Sequence, residues 1–71
     1  MAIEFHLKDH DYVELKNLLK LLNLVNSGGE ARYIIRSGEI MVNDEVDTRP
    51  GKKLRDGDIV SINDQEIHIK P

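Results

Sequence analysis

Between Thr48 and Arg55 the chain places four bases, Arg49, Lys52, Lys53 and Arg55, and no acid. Guanidinium and ammonium groups at that density hold anions, and phosphates suit them best. Arg32 and Arg36 stand four apart, which puts them on one face of any helix that contains them. Lys20 lies in the leucine-rich stretch before them. Ser27 and Glu30 have the spacing of a capping box, so a helix is expected to start at Ser27. The amides of Gly28 and Gly29 would then open its first turn to an anion. Two basic faces meeting at a helix N-terminus would make a phosphate-binding surface. The same residues also permit a plainer arrangement. The bases can be a solvated surface of mixed charge, and the glycines can serve only a sharp turn between helices.

Other chemistry finds less support. His6 and His10 have H-x3-H spacing, but the chain has no Cys and no obvious further ligands, so no metal site is expected. His68 alternates with Ile67 and Ile69, which places it on a strand surface. No nucleophile elbow, phosphate loop or dinucleotide fingerprint occurs. The 13 carboxylates fall mostly in turns and polar faces, and so small a domain has little room for a water-excluding pocket. No enzyme activity and no cofactor are expected.

These residues must be held by a chain of 71 amino acids, which is one domain, 1–71, at most. Its core has to be aliphatic, because Ile, Leu and Val dominate over one Phe and two Tyr. The formal net charge of −3 hides a polarity. Residues 16–55 carry eight bases and five acids, whereas the remainder carries two bases and eight acids. No apolar run reaches the roughly 20 residues of a membrane span. The N-terminus lacks the basic and apolar regions of a signal peptide. A soluble cytoplasmic protein is expected, and a monomer, since no heptad pattern is present.

Period-2 alternation of Ile3, Phe5 and Leu7 predicts a half-buried strand. Leu15, Leu18, Leu19 and Leu22 share one helical face. That helix begins either with a capping box formed by Asp11 and Glu14, or at Glu14 after a strand through Tyr12 and Val13. The second helix turns Ala31, Ile34 and Ile35 inward and ends at Gly38, where a left-handed cap needs no Cβ. Tyr33 on this helix is expected in the core or at its rim. EIMVNDEV reads as a hairpin turning at Asn43–Asp44. Thr48 to Arg55 reads as an irregular connection, because Pro50 lacks an amide donor and Gly51 adds freedom. Asp56–Gly57 marks another turn, and DIVSI and QEIHI form the last two strands, turning at Asn63–Asp64. The order is β-α-α-β-β-β-β. This is an α+β fold, with two short adjacent helices packed on a small, mainly antiparallel sheet.

With these residues in place, the stretch from Ser27 to Asp58 resembles the S-four RNA-binding domain, named after small-subunit ribosomal protein four. The family pattern is met by Ser27, Ala31-Arg32, Ile34-Ile35, Gly38, Ile40, Val42-Asn43, Asp44, Val46, Pro50, Lys53-Leu54 and Gly57-Asp58, without gaps. The length, the N-terminal strand, LLK at 18–20 and SGGEAR at 27–32 are similar to the small stand-alone bacterial members of the YaaA and YbcJ types. Two positions depart from the pattern. Gly28 stands where many members have a base, and Asp44 where many have Gly.

The resemblance implies a non-catalytic module that binds structured RNA, often ribosomal, and that associates with the ribosome or its assembly. It implies that the 48–55 loop packs beside the basic face of the second helix. The residues implied to contact RNA are Lys20, Ser27, Gly28, Gly29, Arg32, Arg36, Arg49, Lys52, Lys53 and Arg55. Arg32 has a competing role, since an ion pair with Glu30 or Glu39 would serve the fold alone. A protein-interaction module in a ribosome-associated or regulatory assembly is the alternative function.

Overall fold

The computed structural model describes residues 2–71. In chain order the elements are β1 (Ala2–His6), β2 (Val13–Glu14), α1 (Leu15–Leu21), α2 (Gly28–Arg36), β3 (Met41–Val42), β4 (Glu45–Val46), β5 (Lys53–Leu54), β6 (Ile59–Ile62) and β7 (Gln65–Lys70). Five strands form a mixed sheet in the order β1-β7-β6-β3-β4, and β2 pairs with β5 in a separate two-stranded ladder. The class is the α+β expected, with two adjacent helices and a mostly antiparallel sheet. Among the described residues no helix is long and apolar enough to cross a membrane.

The helices form where the apolar spacing demands them. Leu15, Leu18 and Leu19 of α1 and Ala31 and Ile35 of α2 are fully buried. They join Ile40, Leu54, Val60, Ile67 and Ile69 in one core. Alternation does the same on the sheet, since Ile67 and Ile69 face inward while Glu66 stays exposed between strand and solvent. Truncating a fully buried residue such as Ile67 to Ala would cost about 2–5 kcal/mol, a large share of what so small a domain has.

The ends of the helices are specified by different means. Ser27 caps α2 by accepting the Glu30 amide at 3.2 Å. The Glu30 carboxylate reaches back, but to the amide of Asn26, at 2.8 Å, one residue before the cap. Gly38 follows with φ +86°, the left-handed position expected of it. Of the two starts expected for α1, the structure takes the second. Glu14 is its extended N-cap and makes no side-chain cap. The orphan amides of Leu15 and Lys16 instead bind the carbonyls of Lys52 and Pro50, at 2.9 and 3.0 Å. The helix stops at Leu21. Asn23 (φ 58°) then reverses the chain as the Leu24 amide returns to the Leu19 carbonyl.

Both expected hairpins are present. Asn43–Asp44 and Asn63–Asp64 take positive φ at both central positions, which suits two-residue turns between twisted strands. One pairing differs from expectation. Pro50–Gly51 does break regular structure, but pairing resumes within the supposedly irregular loop, where Lys53 and Leu54 lie opposite Glu14 and Val13. β1 runs parallel to β7, with Ile3 opposite Ile67 and Phe5 opposite Ile69. This register sets Ile3 and Phe5 beside Ile67 and Ile69 on the core-facing side of the sheet.

Candidate functional site

The first basic group is on α2. Arg32 and Arg36 project from its exposed side, opposite the buried Ala31 and Ile35. Neither makes an ion pair among the described residues, so Arg32 has no partner in Glu30 or Glu39. Lys20, on α1, comes close to the start of α2, since a Cβ at Gly28 would lie 3.9 Å from its Nζ. Ser27 and Glu30 satisfy each other's surroundings, while the amides of Gly28 and Gly29 have no acceptor among the described residues. Tyr33 is neither core nor rim. It is 73% exposed, because it lies on the far side of the helix from Ala31.

The second group is built by the β2–β5 ladder. Lys53 sits opposite Glu14 in register, which carries Tyr12 alongside it. The Lys53 ammonium lies 5.0 Å from the Tyr12 ring centroid and the Arg55 guanidinium 5.5 Å from it. Both are at cation–π distance. Each cation remains exposed, and the ring limits the volume that it explores.

The third group is Arg49 with Lys52. Arg49 is committed locally, since its Nε and Nη2 bind the two carboxylate oxygens of Asp47 at 3.0 and 2.8 Å. Its backbone amide adds a third bond to the same carboxylate, at 3.0 Å. Asp47 is buried, and burial alone would raise its pKa. The hydrogen bonds from the Arg49 side chain outweigh this and hold it below the usual carboxylate range. Lys52 is half-buried beside this pair and makes no ion pair among the described residues.

Thus the ten residues singled out by sequence are surface residues, half-buried at Gly28 and Lys52, and Lys20 shares a hollow with Tyr12 of the second group. The 48–55 loop was expected beside α2. Its backbone is anchored on the first turn of α1, whose orphan amides take the Lys52 and Pro50 carbonyls. Two partners were missed. Asp47 stands one residue outside the acid-free window. Tyr12 carried no local signal, because only the long-range β2–β5 pairing brings it to the lysine. A further pair serves the fold. Asn43 Nδ2 donates to Asp58 at 3.0 Å, and Asn43 Oδ1 accepts the Ile59 amide at 2.9 Å, which ties the hairpin turn to the 55–58 turn.

Among the described residues no three of His, Asp and Glu come together as a metal-binding cluster. His6 and His68 lie on strands beside Glu4 and Glu66, at 3.7 and 3.2 Å.

The comparisons with known proteins agree with this architecture. The chain is 43% identical over 54 residues, 76% of each chain, to a probable ribosome maturation protein, RlbA, of Bacillus subtilis (strain 168). It is 35% identical over 65 residues, 92% of this chain and 93% of the relative, to the putative RNA-binding protein YbcJ of Escherichia coli (strain K12). The model of the S4 domain matches residues 5–70, nearly the whole chain, and the protein belongs to that family.

Proposed function

We propose that this protein binds RNA without doing chemistry on it, and that the RNA is structured and ribosomal. The observation that carries the reading is the set of uncommitted bases. Lys20, Arg32, Arg36, Lys52, Lys53 and Arg55 have no carboxylate partner among the described residues, although acids outnumber bases in the chain. A fold that needed these charges for its own stability would have paired them, as it pairs Arg49. Membership of the S4 family supports the same reading, as do relatives named for RNA binding and for ribosome maturation. Phosphate contacts from these side chains fix position and supply affinity, and they carry little sequence information.

The test is binding to ribosomal RNA fragments across a salt series, with Lys52 and Lys53 both changed to Glu as the control. If about four phosphates are neutralised, log affinity falls against log salt with a slope near −3, from roughly −0.7 for each phosphate on a single strand. The double variant is expected to fold normally and bind at least about tenfold more weakly, with a shallower slope. Salt-independent affinity, or a folded variant with unchanged binding, would overturn the proposal.

A further inference from the structure

Tyr33 is the most exposed large apolar side chain among the described residues, at 73%, and the fold does not use it. Two residues beyond the fully buried Ala31, it points about 200° around the helix axis, away from the core. Its hydroxyl makes no hydrogen bond and its ring holds no cation among the described residues, in contrast to Tyr12. Arg32 and Arg36 flank it, and Gly29 and Ser37 complete an open hollow around it. At Gly29 an added Cβ would meet only Ser27 Oγ, at 3.9 Å, so one wall of the hollow is bare backbone. Residues 29, 32, 33, 36 and 37 follow the spacing of one helical stripe.

The chemistry of that stripe selects its occupant. A free aromatic face beside two unpaired guanidinium groups suits a flat ring that carries negative charge next to it. The one acid on α2, Glu30, is held by the Asn26 amide, and Glu39 just beyond the helix accepts a hydrogen bond from the Ser37 hydroxyl at 2.7 Å. A protein partner would have to supply both a flat apolar group and two carboxylates, whereas a nucleotide strand supplies rings and phosphates in alternation. A base within a duplex is stacked on its neighbours and cannot reach the tyrosine, so the base must be unpaired. We infer that Tyr33 is a stacking platform for an unpaired nucleobase, with Arg32 and Arg36 holding the phosphates on either side of it. This rests on the RNA-binding reading above and adds to it the kind of RNA bound, a loop, bulge or single strand at this face.

The test compares a hairpin RNA carrying an unpaired loop with the blunt duplex of its stem. It uses wild type, Tyr33→Leu, Tyr33→Phe and the Lys52→Glu/Lys53→Glu protein, each checked for folding by circular dichroism. A 2-aminopurine in the loop reports stacking directly. Wild type is expected to prefer the hairpin. Tyr33→Leu should lose about tenfold in affinity for the hairpin, the order set by stacking one base on an aromatic ring, and little for the duplex. Tyr33→Phe should behave as wild type, because stacking needs the ring and not the hydroxyl. The 2-aminopurine signal should change with wild type and Tyr33→Phe and stay flat with Tyr33→Leu. If Tyr33→Leu matches wild type on both RNAs while the double lysine variant is weak, RNA binding stands, the tyrosine face belongs to another partner, and this inference falls. Equal losses on both RNAs would also overturn it, since the contact would not be to an unpaired base. If wild type binds neither RNA, both readings fall.

Discussion

At Asp47 and Arg49 one ion pair separates structural charge from charge left for a ligand. The carboxylate is buried and takes three hydrogen bonds from Arg49, so this arginine is occupied before any RNA arrives. Its pairing has a pH signature. A carboxyl whose pKa is depressed in the fold contributes stability above its unfolded value, and that contribution is lost as pH falls through the folded value. For Asp47 the contribution is whole at neutral pH and fades below about pH 4. Asp47→Asn is therefore expected to melt at a lower temperature than wild type at pH 7. The two should converge as pH falls through the depressed folded value, where the Asp47 carboxyl is protonated and its advantage over an amide is lost. Parallel melting curves at every pH would show that the pair does nothing for the fold. At this scale the sequence was only partly legible. The bases were visible as a cluster, but the pairing of Arg49 depends on where the backbone at Asp47 turns inward, and no local pattern states that.

At the level of elements the legible parts are those written in short-range physics. Leucine spacing, the Ser27–Glu30 relation and the two Asn–Asp turns each act within a few residues, and each element stands where it was expected. Gly38 belongs to this class and can be tested without disturbing packing. Its φ of +86° is left-handed, and an added Cβ would lie 3.8 Å from Val46 Cγ1, an ordinary contact. Gly38→Ala should therefore lose stability through the backbone alone, by roughly 1–2 kcal/mol, as read by urea denaturation. A stability equal to wild type would mean that the helix end relaxes to another cap. The illegible parts are long-range. The parallel pairing of β1 with β7 and the docking of the Pro50 and Lys52 carbonyls on α1 join segments far apart in sequence. Backbone carbonyls are present at every residue, so nothing in the side chains announces which of them will cap a helix. The same gap hid the position of Lys53 and Arg55, since the ladder that seats them over Tyr12 is two residues long.

Across the whole molecule the division of charge read from the sequence becomes a division of surfaces. The uncommitted bases are on α1, α2 and the 48–55 segment, while Glu4 and Glu66 lie on the adjacent strands β1 and β7, exposed and beside histidines. If RNA binds at the bases, the acids on the strands repel any phosphate that approaches from the wrong side. They then act on discrimination more than on the affinity of the correct complex. Reversing both, Glu4→Lys with Glu66→Lys, adds two charges at each site and takes the formal net charge from −3 to +1. The expected outcome is a several-fold gain in affinity for an unstructured homopolymer RNA at low salt. Affinity for a structured target should change much less, and the gain should vanish as salt shortens the Debye length to about 3 Å near 1 M. The two sites are exposed and outside the core, so the variant should fold as wild type does. Equal gains on both RNAs would mean that the strand surface itself lies against the correct target. No gain on either would mean that the acids are too far from any bound phosphate to matter, and that selectivity resides wholly in the basic groups and the tyrosine beside the two arginines.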